Sequence, residues 1–301
     1  MISSNLIDFF GDVRSANPKP FNVSSVAHRS VFRYPGGKTW FVPYFREWIK
    51  QYKSNEVVLV EPFAGGGIVS LTIAFERLAK QIVMCEIDEQ VAAVWDVVLS
   101  AEREKLARMI LDFHLTPDSL NEALAILPCD QVTVAFQTIL RNRTSHGGIM
   151  AHGSGVMKNG ESGKGILSRW YPKTLARRIR DISFINDLIE FRQENAFETL
   201  LKKQDKTDHL WFIDPPYTAG GKRAGSRLYK HSEIDHASLF DICSRLKGDF
   251  LLTYDVADEV IKMANEFGFE IVEVPMKNTH NAVMSELVIG RNLGPIRKMS
   301  C

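Results

Sequence analysis

Four consecutive residues, Asp214-Pro215-Pro216-Tyr217, have types that can act together on one small volume. They follow an apolar run, HLWFI, that reads as a buried strand. Successive prolines fix φ and remove two backbone donors, leaving carbonyls held rigidly at the carboxyl end of the strand. The first proline also biases Asp214 toward extended backbone. A carboxylate, a carbonyl and an aromatic face then converge. That set suits a flat ring bearing an amine, with two acceptors for the NH2 and one ring to stack on. A strand-ending turn tolerates D-P-P-Y, but it has no need of the aromatic.

A second group is Glu61-Pro62-Phe63-Ala64-Gly65-Gly66-Gly67, set where a strand hands over to a helix. Glycines there let the backbone turn tightly and approach a ligand, and the helix start offers free N–H groups. The next strand ends in Cys85-Glu86-Ile87-Asp88, about 20 residues on, where a carboxylate can accept from ribose hydroxyls. The loop is not GxGxxG, so a dinucleotide pyrophosphate is not its natural ligand. A third group is Tyr34-Pro35-Gly36-Gly37-Lys38-Thr39. Its GKT suggests a phosphate loop, but GxxxxGK(S/T) would need glycine at position 32, which is Phe32. No strand precedes it either.

Other residues carry weaker signals. Lys222, Arg223, Arg227 and Lys230 follow the DPPY with no acid between them and suit a phosphate backbone. His146 and His152 lie in a glycine-rich stretch and suit base, phosphate or solvent contacts better than a metal. Thr253-Tyr254-Asp255 ends a strand and lines either the base pocket or an ordinary loop. Trp170 and Tyr171 read as core anchors. Val91, Ala92, Val94 and Trp95 read as core or cofactor wall.

The elements that must position these groups form two alternating blocks. Residues 56–61, the glycine turn, the helical pattern IVSLTIAFERLAK and the run QIVMCEID make strand, turn, helix, strand. From about residue 208 the order is strand, DPPY, a helix over ASLFDICSRLKG, the strand DFLLTY, a helix closing on Gly268, and two strands, FEIVEVP and SELVIGRN. Both blocks imply a mostly parallel sheet with helices on both faces. Between them, EREKLARMILDFH, SLNEALAIL and residues 170–192 read as helical. VTVAFQTILRNRT fits strand or helix. Residues 146–166 hold seven glycines in twenty-one positions and read as an exposed loop or ribbon. The expected organisation is an N-terminal arm at 1–30, a catalytic unit at 31–101 plus 206–301, and an insert at 102–205.

The chain has 301 residues, 45% hydrophobic and 24% charged, enough for a large core without staples. Its net charge is +1, so any nucleic-acid surface must be local. Residues 141–180 hold nine basic residues against Glu161 alone, a local +8 that leaves −7 for the rest. A run of this kind often marks a solvated helix face. The glycine-rich stretch beside it favours a surface that wraps a phosphate backbone. The four cysteines form no CxxC pair, so neither a disulfide framework nor a structural zinc site is expected. No apolar run approaches the roughly 18 residues of a membrane span. The start, MISSNLIDFFGD, has no basic n-region, so a secretory signal is not expected.

In the order YPGGK, PFAGGG, basic insert, DPPY, the chain resembles the α class of amino-group DNA methyltransferases. Residues 32–38, 60–67, 140–148, 214–217, 228–239 and 286–292 are more closely similar to blocks of the Dam-like, D12 class N6-adenine-specific enzymes. The resemblance covers about 31–292. One departure is Ser145-His146-Gly147 after Arg143-Thr144, where that family often has Phe-Asn-Gly. The departure bears on the target sequence rather than the chemistry.

The resemblance implies a Rossmann-like, S-adenosylmethionine-dependent methyltransferase fold with a seven-stranded sheet and a mainly helical target-recognition insert. It implies S-adenosylmethionine as cofactor, S-adenosylhomocysteine as product and no metal. Tyr34, Gly36, Gly37, Lys38, Glu61, Pro62, Phe63, Ala64, Gly65, Gly66, Gly67, Glu86, Ile87 and Asp214 would hold the cofactor, with its methionine end at Phe63–Gly65 and YPGGK. Asp214 and a carbonyl of Pro215 or Pro216 would accept from N6 of a flipped adenine, and Tyr217 would stack on it. Arg141, Asn142, Arg143, His146, Lys158, Lys164, Arg177, Arg178, Lys222, Arg223 and Arg227 would contact double-stranded DNA. A cytoplasmic monomer, prokaryotic or phage-encoded, is expected, with a cognate restriction endonuclease as an allowed partner. The near rival is an N4-cytosine DNA methyltransferase, in which Ser more often precedes the prolines. RNA methylation and a non-catalytic DNA-binding module on the same fold are further rivals, and the intact motifs oppose the last.

Overall fold

The computed structural model of the chain describes residues 20–34, 36–149, 155–160, 163–216, 234–277 and 283–300. In chain order the elements are α1 (Val42–Ile49), β1 (Val58–Glu61), α2 (Ile68–Phe75), β2 (Gln81–Cys85) and α3 (Glu89–Leu99). Four helices follow: α4 (Arg103–Asp112), α5 (Pro117–Ala125), α6 (Gln131–Thr144) and α7 (Pro172–Asp181). Next come β3 (Ile189–Arg192), α8 (Ala196–Lys203), β4 (His209–Ile213), α9 (His236–Arg245), β5 (Phe250–Asp255) and α10 (Asp258–Glu266). The hairpin β6 (Glu270–Lys277) and β7 (Val283–Gly290) and the short α11 (Gly294–Met299) complete the series.

The strands form one seven-stranded sheet in the order β3-β2-β1-β4-β5-β7-β6. β7 is antiparallel to β5 and β6, and the pairs β1–β2, β1–β4, β2–β3 and β4–β5 are parallel. The expected Rossmann-like architecture, a mostly parallel sheet with helices on both faces, is the one observed. Its central strands β1, β4 and β5 are buried on both sides, which is why they read as unbroken apolar runs. Alternation sorts their side chains: Leu59, Ile82, Met84, Leu210 and Phe212 enter the core shared with α1, α2, α3 and the helices α4–α7. Val58, Val60, Val83, Trp211 and Ile213 enter the core shared with α8, α9 and α10. The strand order reverses at β1, which has β2 on one side and β4 on the other. Ligands of open α/β sheets bind at that switch point, beyond the carboxyl ends of the strands. The glycine turn leaves β1 there and the DPPY leaves β4.

Three expectations need correction or completion. Residues 170–192 are not helical throughout: their last four form β3, in register with β2 from Ile82↔Ile189 to Cys85↔Arg192. Ile189 and Phe191 pack on the core between helices and sheet, and β2 supplies the ladder that a short run cannot supply for itself. The sheet unit therefore resumes at residue 189, inside the range 102–205 assigned to the insert. The segment left open between strand and helix is α6, whose start is capped by Asp130 accepting from the Thr133 amide at 2.7 Å. Within the expected N-terminal arm or extension, residues 20–30 pack on the body: Val26 is buried and Phe21 packs edge-on to Tyr44 at 5.0 Å. Among the described residues, no helix is long and apolar enough to cross a membrane.

Candidate active site

The glycine turn shows why its sequence is what it is. Gly65 and Gly67 have φ of +46° and +59°, a region costly for residues with a Cβ. A Cβ on Gly65 would stand 2.7 Å from the Tyr34 ring, and one on Gly67 would stand 2.6 Å from Cε of Met84. Trp95, expected as core or cofactor wall, holds the turn from beneath by donating from Nε1 to the Gly65 carbonyl at 2.9 Å. Tyr34 lies over the turn from the other side.

Glu86 closes one flank. Its Oε2 accepts from the Gly65 amide at 2.9 Å, and its Oε1 accepts from the amides of Ile87 and Asp88 at 2.8 and 2.9 Å. Asp88 in turn caps α3 by accepting from Gln90 and Val91. Glu61, at the end of β1, accepts from the Ser70 amide at 3.1 Å. Burial lifts the Glu61 carboxyl to about 8, with the nearby charges of Asp214 and Glu86 adding to the lift and the Ser70 donors opposing it. Burial lifts Glu86 to about 7, opposed by its amide donors.

Asp214 is half-buried at the end of β4. Its Oδ1 accepts from Thr253 Oγ1 on β5 at 2.7 Å and lies 2.9 Å from Lys38 Nζ. Lys38 is only 3% exposed and also lies 3.6 Å from Glu286 on β7. Thr253 is thus an anchor for Asp214. Its neighbour Tyr254 is buried, with its hydroxyl 2.7 Å from Nδ1 of His236. Pro215 is buried and Pro216 faces the cavity.

These groups share one cavity of about 670 Å³. Its wall includes Tyr34, Gly36, Gly37 and Lys38, the whole of Glu61–Gly67, Glu86, Ile87, Asp214 and Pro216. Every described residue expected at the cofactor is therefore in one place. The wall also includes Glu194, Asn195, Ala196 and Phe197 from the start of α8, together with Ile234, Met276 and Glu286. The α8 residues were missed because they were read as part of the insert. Asn195, which caps α8 by accepting from Phe197, was the signal for a new helix there. Six carboxyl groups line the cavity, four from Asp88, Glu194, Asp214 and Glu286 and two lifted by burial from Glu61 and Glu86, against the cations Arg33, Lys38 and Arg178. Such a field favours a cationic ligand.

The basic residues divide. Asn142 and Arg143, expected on DNA, are buried inside the protein. Asn142 accepts from the Arg33 amide at 2.8 Å and donates to the Arg33 and Gly148 carbonyls at 2.8 and 2.9 Å. Arg143 donates to the Val31 carbonyl, and burial lowers its guanidinium to about 10. Arg178 is half-buried and donates to the Ser30 carbonyl at 3.0 Å. Ser30 itself donates to the Gly66 carbonyl at 2.5 Å. Polar groups that enter a helix-packed interior must find backbone partners, and these three found the strap at residues 30–34. Arg141 is half-buried, while His146, Lys158, Lys164 and Arg177 are exposed. Tyr217, Lys222, Arg223, Arg227, Lys230 and His152 lie outside the described residues.

A family model described as D12 class N6 adenine-specific DNA methyltransferase matches residues 34–279. Among solved structures, the chain is similar to the rRNA methyltransferase aviRa of Streptomyces viridochromogenes, with 14% identity, 93% of this chain and 96% of that chain covered, and a TM-score of 0.40. It is similar to the tRNA methyltransferase TrmK of B. subtilis at 10% identity, covering 80% and 62%, with a TM-score of 0.36. A precorrin-6y C5,15-methyltransferase of Geobacter metallireducens matches at 12% identity, covering 83% and 84%, with a TM-score of 0.33. No curated protein sequence matches the chain.

Proposed function

The chain belongs to the D12 class N6 adenine-specific DNA methyltransferases, and we propose that its cavity holds S-adenosylmethionine beside an adenine rotated out of duplex DNA. As a member of that family it methylates adenine N6 in DNA, using S-adenosylmethionine. The residue roles that follow are our reading. The one observation that carries it is that the glycine turn, Glu86 and Asp214 line the same cavity.

The cavity fits the cofactor on two counts. Added side-chain volume at Gly65 or Gly67 would close the turn. The acidic lining suits a ligand that carries both a sulfonium and an ammonium. Glu86 would accept from the ribose hydroxyls, and residues 61–65 with the strap would enclose the methionine end. When bound, the cofactor supplies an electrophilic methyl group whose leaving atom is a sulfonium sulfur, so the chemistry we assign needs no metal.

Asp214 and the carbonyl of Pro215 or Pro216 would accept hydrogen bonds from the N6 amino group. Those acceptors draw the nitrogen lone pair out of conjugation with the ring and aim it at the methyl carbon. As the N–C bond forms and positive charge grows on nitrogen, the carboxylate stabilises it. Tyr217 would stack on the base. A flipped base is required because N6 within the stack has no path to the cavity. Arg141, His146, Lys158, Lys164 and Arg177, with Lys222, Arg223 and Arg227, would hold the phosphate backbone.

The test is to incubate the purified protein with mixed-sequence duplex DNA and the cofactor, then digest the DNA and identify modified nucleosides. N6-methyladenine is expected. N4-methylcytosine in its place would keep the mechanism and replace the base, and methylation of RNA alone would overturn the substrate.

A further inference from the structure

Resting on the reading of Asp214 just given, we propose that Lys38 is a positioning residue for the methyl transfer, holding the Asp214 carboxylate for the amino group rather than gripping the cofactor. Lys38 sits in the short helical turn that precedes α1, far from Asp214 in sequence, yet its Nζ is 2.9 Å from Oδ1. Thr253 Oγ1 donates to the same oxygen at 2.7 Å. A hydroxyl donor and an ion-paired ammonium, brought to one oxygen by two different elements, restrain the orientation of the carboxylate. A carboxylate on a strand end, with one side open to a cavity, would otherwise rotate.

The lysine is itself held. Its ammonium donates to the Gly36 carbonyl at 3.0 Å and lies 3.6 Å from the Glu286 carboxylate. Among the described residues, one carbonyl and two carboxylates thus surround the ammonium. The side chain is 3% exposed, against 21% for Asp214. A buried cation needs such partners to stay charged. Its partners come from the segment before α1, from the carboxyl end of β4 and from the middle of β7, so the floor of the cavity is tied together at this one nitrogen. Arginine would not substitute, because a planar fork cannot meet three acceptors arranged around a point.

The experiment measures single-turnover methylation of duplex DNA at saturating cofactor, cofactor affinity by calorimetry, and the melting temperature, for the full chain. Lys38→Met and Lys38→Ala should slow transfer by about 10²-fold, the cost of a misplaced reacting group. Their cofactor affinity should change by less than about threefold, well below the cost of losing a charged ligand contact. Methylammonium added to Lys38→Ala should restore about tenfold, since it can refill the vacated space and reform one charged contact. It should do nothing for Lys38→Met, and Lys38→Arg should not rescue. Thr253→Val should slow transfer in the same sense by about tenfold, the worth of one hydrogen bond. If the Lys38 variants fail to fold, Thr253→Val and Glu286→Gln decide, and an unchanged rate in both overturns the proposal. A collapse of cofactor affinity with the saturated rate preserved would make Lys38 a cofactor ligand and overturn it. An active Lys38→Met beside an inactive Asp214→Ala would sink the positioning role alone. An active Asp214→Ala would sink the reading on which it rests.

Discussion

On the proposed reading the chemistry turns on Asp214, and its replacement gives the cleanest prediction. Asp214→Ala should lose methyl transfer by at least about 10²–10³-fold, the usual worth of one preorganised transition-state contact. Cofactor binding and fold should persist, because Thr253 and Lys38 retain other neighbours. Asp214→Asn should fail as well, since an amide carries no charge and can present a donor to the NH2. Single-turnover rates beside calorimetry separate these outcomes, and an Asp214→Ala rate within tenfold of wild type would remove the carboxylate from the mechanism. Glu86→Ala should weaken cofactor binding by about 1–3 kcal/mol. A proton balance belongs to the same scale. Glu61 and Glu86 are raised from the usual 4.5 to about 8 and 7. Each holds its proton more tightly folded than unfolded, so the stability they contribute is present below about pH 4.5 and lost as pH rises through 7 and 8. A cationic cofactor pulls both toward the ionised form. Binding should therefore release protons near pH 7, read as a buffer-dependent heat in calorimetry. Identical heats in buffers of different ionisation enthalpy would refute it.

At the scale of elements, the helices and strands differ in how readily sequence discloses them. The glycine turn and the DPPY were legible because their geometry is local: a strand end, a forced backbone and a helix start within a few residues. The strand β3 was not, because four residues of Ile-Glu-Phe-Arg owe their conformation to β2 beside them. With β3 unrecognised, the start of α8 and its place in the cavity wall were lost too. Asn142 and Arg143 were misplaced for a different reason. A basic run along α6 does not disclose which side of the helix meets the strap at residues 30–34. Asn142→Ala should therefore cost about 1–3 kcal/mol of stability by stranding backbone groups, and leave the salt dependence of DNA binding unchanged. Arg177→Glu should do the reverse: little change in the denaturation midpoint, and a log–log salt slope flatter by about 0.9 or more. Chemical denaturation and DNA titrations at several salt concentrations distinguish the two. A stable Asn142→Ala with a flattened slope would return that residue to the DNA surface.

At the scale of the whole molecule, charge is segregated. The chain is near neutral, yet its basic excess is gathered in residues 141–180 and six acidic residues line the cavity. On the proposed reading one sign of field would attract a polyanion while the other receives a cation, so two oppositely charged partners would meet on one protein without competing. DNA affinity should accordingly fall steeply as salt rises, while cofactor affinity in its buried acidic cavity should fall far less. Parallel salt titrations of the two ligands check this, and equal slopes would contradict the segregation.

The strap at residues 30–34 touches both territories. Asn142, Arg143 and Arg178 grip it from the helices of the insert, and Ser30 and Tyr34 press it on the glycine turn. In thermodynamic terms it is a shared degree of freedom. If filling the cavity changes how tightly the strap is held, the contacts proposed between Arg141 and Arg177 and DNA would change with it. The exchange must then be mutual: the factor by which cofactor alters DNA affinity equals the factor by which DNA alters cofactor affinity. Loosening the strap with Arg178→Ala should drive that common factor toward one, read by titrating each ligand in the presence and absence of the other.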